Sequence, residues 1–366
     1  MREVFNSLPS MMLVLAIFPV FMADAVNAEV ISFAPAGPAS TPGAVIPKAI
    51  VGKISLPARA TGRVPAVVIA HAGAGLTAEG PEPDYVAALN AAGIGALTID
   101  MWTARGVPSG PAAFGSNGAD DRRPSSVRDT LQDAFGALKY LADHPAIDAQ
   151  RIAILGFSWG AMLSMLAMDE LAAQRALGAG PRFAAHAGHY PVCSYFIPGA
   201  TFAPAMDAAW TGAPLQLQVG GQDDYDGADG GASCRKLIEV LPPDKRSHVE
   251  LIVHPTATHA WEEKIPTAIS FRDPRSRSGN VRVSSNAEAS AHARITTVAF
   301  FKRAFGPLTC RRAQLRLSDR HVAAAELGAD HERHGVWRPT SSKKAAPINA
   351  DVEFRLTPHA RPARFL

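Results

Sequence analysis

The stretch Ile152-Ala153-Ile154-Leu155-Gly156-Phe157-Ser158-Trp159-Gly160, with the helical run from Ala161 to Leu171 behind it, reads as a strand, a sharp turn and a helix. A serine sits at the apex. The glycines on either side of Phe157-Ser158-Trp159 let two chain segments approach closely, and a strained turn lifts the hydroxyl clear of the strand end. The amide of Trp159, at the helix start, then faces the space where negative charge develops if the serine oxygen attacks a carbonyl. Such a pentapeptide also recurs by chance, so a base and an orienting acid must be sought elsewhere in the chain.

Both follow in sequence. The apolar strand Pro214-Leu215-Gln216-Leu217-Gln218-Val219 runs into Gly220-Gly221-Gln222-Asp223-Asp224, a glycine turn ending in acids. Val249-Glu250-Leu251-Ile252-Val253 runs into His254-Pro255-Thr256-Ala257-Thr258-His259-Ala260-Trp261. Serine, acid and histidine in that order, each past the carboxyl end of a strand, is the arrangement of the α/β-hydrolases.

On these residues the chain resembles the dienelactone hydrolase family over about residues 50 to 305. Val67-Val68-Ile69-Ala70-His71-Ala72-Gly73-Ala74-Gly75 is similar to the family's oxyanion-loop segment, and Leu97-Thr98-Ile99-Asp100 with Arg105-Gly106 to its aspartate-arginine-glycine stretch. Arg128-Asp129, Asp133-Ala134, Ala137-Leu138 and Tyr140-Leu141 resemble the helix before the elbow, Tyr190-Pro191-Val192-Cys193 a later turn, and Asp223-Asp224 with Cys234 the acid loop. The family's namesakes carry a cysteine nucleophile where this chain has Ser158. The resemblance therefore implies the fold and a hydrolytic reaction rather than the namesake substrate.

Alternating apolar strands and helical segments predict an α/β-hydrolase fold, a mostly parallel central sheet with helices on both faces. Strands are expected at Val67 to Ala70, Ala96 to Ile99, Ile152 to Leu155, Phe183 to Ala187, Leu215 to Val219 and Leu251 to Val253. Helices are expected at Asp84 to Ala92, Ser126 to Ala142, Ala161 to Leu171 and Ala287 to Phe305. At 366 residues, 47% of them apolar, the chain can bury a large core.

Residues 1–28, with Arg2, an apolar run from Met11 to Met22 and small residues Val26 and Ala28, read as a cleaved secretory signal. The run is short of the roughly 20 apolar residues a membrane span needs, so no stable span is expected after cleavage and the mature chain is expected to be periplasmic or secreted. Residues 29–48 form a Pro/Ala-rich leader, 49–310 the hydrolase domain, and 311–366, without a sustained apolar period, are expected to be a basic, disordered tail. The tail holds eleven Lys and Arg against six Asp and Glu, so it carries +5 of a chain whose net charge is +3 and leaves −2 for the rest. The basic balance is thus local, and without a dense basic run or interleaved aromatics it does not predict a nucleic-acid partner.

The residues now take expected roles. Ser158 attacks an ester-type carbonyl, His259 accepts its proton, and Asp223 orients His259, with Asp224 and Asp226 as rivals for that place. The oxyanion hole combines the amide of Trp159 with that of Ala72 or Gly73. Arg105 either binds a substrate carboxylate through its planar fork or pairs with a loop acid such as Asp100. His71 either lines the site or bonds within its own turn, and Tyr190 and Trp261 stand as pocket walls or core. Cys193 and Cys234 form a bridge or remain buried thiols, with Cys310 left over. His186 and His189 follow a strand, no zinc-type spacing is present, and the glycines at 73 and 75 lack a full nucleotide fingerprint, so no metal and no cofactor are expected. The partner implied is a small ester or lactone. The same serine chemistry also serves acyl transfer to another acceptor, and a hydrolase fold also serves plain binding.

Overall fold

In a computed structural model, residues 28–39, 41, 44–110, 123–200, 210–226 and 230–306 are described here. The chain divides after Gly306, and all of these residues belong to the first unit. The signal segment up to residue 27, Cys310 and the basic tail lie outside the described residues.

Eight strands form one sheet: β1 Ala28–Phe33, β2 Ile50–Ser55, β3 Val64–Ala70, β4 Gly95–Asp100, β5 Ile147–Phe157, β6 His186–His189, β7 Leu215–Gly220 and β8 Val249–His254. Their spatial order is β1-β2-β4-β3-β5-β6-β7-β8. The pairings β1 with β2 and β2 with β4 are antiparallel, and all later pairings are parallel. The interior strands alternate between two cores. Val64, Ala66, Val68, Ile152 and Ile154 face one; Val67, Ile69, Ala153, Leu155 and Phe157 face the other. A parallel strand buried on both faces needs apolar residues at every position, which is why these segments read as continuous hydrophobic runs.

Helices α2 Leu131–Asp143, α3 Trp159–Leu166, α4 Glu170–Leu177 and α5 Ala232–Val240 contribute to the first core. Helix α1 Glu82–Ala91 and the long α6 Ala287–Phe305 contribute to the second, through Tyr85, Leu89, Phe300, Phe301 and Phe305. A hairpin of β9 Ile269–Arg272 and β10 Asn280–Val283 forms a separate two-stranded sheet. No helix of the described residues is long and apolar enough to cross a membrane.

Three details differ from the sequence-based expectation. The segment expected only to lead into the first strand begins with β1, which pairs along its whole length with β2. The helix expected from Ala161 to Leu171 breaks after Leu166, because the Asp169 carboxylate caps a new helix by accepting the Leu171 and Ala172 amides. Strand β6 is shifted to His186–His189 from the expected 183–187. Its sequence has little intrinsic strand preference, and the ladders to β5 and β7 fix it.

What positions the site is the space left by glycines at the sheet's carboxyl edge. A Cβ on Gly156 would overlap the Gly160 carbonyl, and one on Gly160 would overlap the Ala70 carbonyl. The start of α3 therefore lies directly on the ends of β3 and β5, at the point where strand order reverses and a crevice opens. Gly156→Ala is expected to lower stability by about 3 kcal/mol or more or to prevent folding, since backbone rather than side chain must move; urea denaturation of the purified variant measures this.

Candidate active site

Ser158 has φ 48°, a left-handed conformation that a residue with a side chain adopts only under constraint. Its amide is held by the His189 carbonyl at 2.9 Å, and its own carbonyl accepts the Met162 amide at 3.0 Å. The Trp159 amide, at the first position of α3, precedes that first intrahelical bond and so belongs to the unpaired donors of a helix start. The serine Oγ lies 3.0 Å from His259 Nε2, and His259 Nδ1 lies 2.7 Å from Asp223 Oδ2. His259 is 4% exposed and Asp223 2%. Because Nδ1 faces a carboxylate, it carries the proton and Nε2 is left to accept one from the serine.

The acid loop and the histidine loop meet through glycine as well. A Cβ on Gly220 would press on the Ala257 and Thr258 carbonyls, and one on Gly221 on Pro255. Of the three acids in that loop only Asp223 faces the histidine, and the Tyr225 amide holds its other oxygen at 2.9 Å. Asp224 instead accepts the Arg282 amide at 3.0 Å and Ser278 Oγ, anchoring the hairpin. Asp226 is 1% exposed, and burial beside Asp223 pushes its pKa up to about 7.

Ser158 and His259 open into a cavity of about 590 Å³, whose lining includes Ala72, Gly73 and Trp159. Both loop residues expected to supply an oxyanion amide thus share the serine's cavity. Apolar side chains of Met162, Val192, Ile265, Phe271 and Val283 make much of the remaining wall. Arg123 also lines it, with its guanidinium carbon 5.1 Å from the Trp159 ring centre and 5.4 Å from that of Trp102. Burial, with Arg275 nearby, lowers the Arg123 pKa to about 10.

Four residues expected as substrate contacts stand elsewhere. Arg105 grips Asp133 with two nitrogens at 2.7 and 3.1 Å and also donates to the Met101 and Asp129 carbonyls, so its fork is engaged in locking α2 to the loop after β4. Asp100, the other candidate partner, caps the turn Thr103–Arg105 through Trp102, Thr103 and the Thr103 hydroxyl. His71 is fully buried: the Met101 amide donates to Nε2 at 3.0 Å, so Nδ1 carries the proton and donates to the Ala72 carbonyl at 2.7 Å. Burial lowers its pKa to about 4, and the neutral ring serves to shape the oxyanion loop. Tyr190 and Trp261 are fully buried behind His259 rather than facing the cavity. Tyr190 packs edge-on at 5.2 Å from the His259 ring centre, and Trp261 packs on Tyr190 at 4.8 Å.

Cys193 and Cys234 are bonded, with Cα atoms 5.0 Å apart, which ties the turn after β6 to α5 behind the acid loop. The Asp226 carboxylate joins these sulfurs within a 4.8 Å cluster, but two sulfurs bonded to each other are not thiolate ligands. His186 and His189 point to different partners, the Ser164 carbonyl and the pair Glu262 and Thr297. Sequence reasoning missed Arg123, Tyr225 and the hairpin wall. Tyr225 alone had a usable signal, its place two residues beyond the acid.

Burial also raises two further carboxyls, Glu82 at the start of α1 to about 8 and Glu263 in the cavity wall to about 7. With Asp226, these groups hold protons in the folded chain that the unfolded chain releases in the ordinary carboxyl range, so stability falls as pH rises from that range up to about 7 for Asp226 and Glu263 and about 8 for Glu82. Glu82, only 4% exposed, is expected to account for about 2 to 3 kcal/mol of that fall between pH 6 and 9. Denaturation curves of the native chain and Glu82→Gln at both pH values check this, the variant showing the smaller fall.

The model of the dienelactone hydrolase family matches residues 50–305. A curated relative from Bradyrhizobium sp, named a probable 2-oxo-3-(5-oxofuran-2-ylidene)propanoate lactonase, is 27% identical over 209 residues, 56% of this chain and 75% of that protein. Among solved structures, the dienelactone hydrolase of Anabaena variabilis is 17% identical with a TM-score of 0.45, covering 74% of this chain and 97% of its own. A dienelactone hydrolase-like promiscuous phosphotriesterase from metagenomic libraries is 16% identical with a TM-score of 0.47, covering 76% of this chain and 99% of its own.

Proposed function

The chain belongs to the dienelactone hydrolase family and is a hydrolase acting on ester bonds, and from its own cavity we propose that it cleaves small esters or lactones through an acyl-enzyme on Ser158. The observation that carries this reading is the continuous relay of Ser158, His259 and Asp223, at 3.0 and 2.7 Å, opening into a cavity bordered by Trp159, Ala72 and Gly73.

Ser158 Oγ attacks the carbonyl carbon as its proton passes to His259 Nε2. The carbonyl oxygen becomes an oxyanion, held by the Trp159 amide and an amide of the Ala72-Gly73 loop. The imidazolium is stabilised by Asp223 and returns the proton to the departing alkoxide, leaving Ser158 acylated. Water, deprotonated by His259, then attacks the acyl carbon, and the carboxylate leaves as Ser158 regains its proton. In a lactone the alkoxide stays tethered to the acyl group, so one hydroxy acid is released. The largely apolar wall suits a compact ring or an aryl ester, and the lactonase name of the Bradyrhizobium relative favours the lactone arm.

We further propose export with cleavage after Ala28. The leading apolar run supports it, and so does the Cys193–Cys234 bond, which persists in an oxidising compartment. Cleavage there leaves five of the six β1 residues on the mature chain.

Turnover of short-chain aryl esters and simple lactones tests the reaction. Ser158→Ala, His259→Ala and Asp223→Asn are each expected to lower kcat/KM by about a thousandfold or more. Turnover that survives in Ser158→Ala removes the proposed nucleophile, and ester products formed with an added alcohol identify acyl transfer. For export, the N-terminal sequence of chain recovered from the periplasm or medium is expected to begin at Glu29; a chain retained in the cytoplasm with its first residues intact contradicts it.

A further inference from the structure

The hairpin of β9 and β10 supplies Ile269, Phe271, Asp273, Arg275 and Val283 to the cavity wall. It is also fastened to the two loops that carry the proton relay. Val283 bridges His259, and Asp224 holds the Arg282 amide. The third fastening is more direct. Tyr225, two residues beyond Asp223, donates its hydroxyl to Asp273 Oδ2 at 2.6 Å, and Arg275 closes on the same carboxylate with Nε at 2.8 Å and Nη2 at 2.7 Å. Burial opposes ionisation of Asp273, but the bonds from Arg275 and Tyr225 outweigh it and hold the carboxyl below its ordinary range.

Tyr225 has three contacts that converge on the relay. Its hydroxyl is fixed by Asp273, and its amide occupies Asp223 Oδ1, leaving Oδ2 for His259. Its ring lies 4.7 Å from the His259 ring centre at 70°, while Tyr190 stands at 5.2 Å and 71°. Two tyrosine rings thus restrain one imidazole against rotation. Tyr190 is set by the core and by its bond to the Gln218 carbonyl, whereas Tyr225 is half-buried and its ring is tied at the far end by Asp273.

We propose that Asp273, acting through Tyr225, is a positioning residue for His259, so that the bond between Tyr225 and Asp273 couples the hairpin wall of the cavity to the alignment of the proton relay. The proposal rests on the reading of Ser158 as nucleophile. Release of the Tyr225 hydroxyl lets the ring swing, weakens the Asp223 to His259 bond and lowers the stabilisation of the imidazolium. Other groups facing this assembly are Ser158 on Nε2, Glu263 on the histidine's own turn, Asp226 behind Asp223, and Arg123 beside Tyr225 and Asp273. Because burial raises the Glu263 carboxyl to about 7, a rate profile also reports that group. The test therefore follows His259 itself.

Proton NMR of the His259 Nδ1–H, recorded against pH in the native chain, Asp273→Asn and Tyr225→Phe, gives the first readout. Both variants are expected to show the resonance moved upfield or broadened. Aryl ester turnover gives the second, with kcat lowered about tenfold, KM within about threefold, and the double variant no worse than the poorer single one. A His259 resonance unchanged in position and width from the native chain overturns the proposal, as do rate losses that add. Tyr225→Phe keeps the ring and carries the comparison if Asp273→Asn does not fold. A shifted resonance in a chain that turns over no ester would uphold the positioning role and overturn the hydrolytic reading instead.

Discussion

The absence of two side chains, at Gly156 and Gly160, governs the rest of the architecture. Any atom beyond hydrogen at either place would occupy a backbone carbonyl, of Gly160 in one case and Ala70 in the other. Only this contact allows a helix to begin where β5 ends, with the serine between them at φ 48°. The conformation is unfavourable by about 1 to 3 kcal/mol in general and is imposed from both sides, by the His189 carbonyl on the serine amide and by the first turn of α3. The same economy of side chains recurs at Gly188, against Ala161, and at Gly220, against the histidine loop. Close approach of backbone to backbone, rather than any single strong bond, brings residues distant in sequence within one cavity.

Partners, not residue type, decide what each polar group does there. His71 and His259 are both buried imidazoles, but the first is bonded by a backbone amide and a carbonyl and is held neutral, while the second lies between a carboxylate and a hydroxyl. Arg105 and Arg275 each bind an aspartate bidentately; the first does so in the interior beneath the site, the second in the cavity wall. A buried ion pair such as that of Arg105 and Asp133 adds little net stability, yet losing one partner leaves an isolated charge. Its service is to fix the position of α2 against the loop after β4.

The fold was legible because its signals are physical and repeated: apolar runs at β3, β4 and β5, glycine at the turns after β5 and β7, and a serine, an acid and a histidine each placed after a strand. Ser158, Asp223 and His259, named from that pattern, are the residues that lie within hydrogen-bonding distance of one another. The substrate contacts were not legible. Arg105, Tyr190 and Trp261 have side chains suited to binding, but their direction depends on which loop acid or aromatic neighbour they meet, and that is decided by packing across the sheet. The hairpin escaped notice because its strands are only four residues long: Ile269-Ser270-Phe271-Arg272 and Asn280-Val281-Arg282-Val283 do alternate apolar and polar residues, but over too short a run to stand out from a loop. Strand β6 was misplaced because its neighbours, not its sequence, hold it.

The hairpin also has a bearing on how such a scaffold diversifies. It enters and leaves the domain between His259 and α6 and pairs with no strand of the main sheet. Lengthening, shortening or replacing it leaves the sheet's ladders untouched while redrawing the wall that a substrate meets. Its fastenings, however, come from Asp224 and Tyr225 in another part of the chain. A change in the wall at residues 269–283 is therefore not local to the hairpin, because it reaches Asp224 and Tyr225 and through them the loop that carries Asp223.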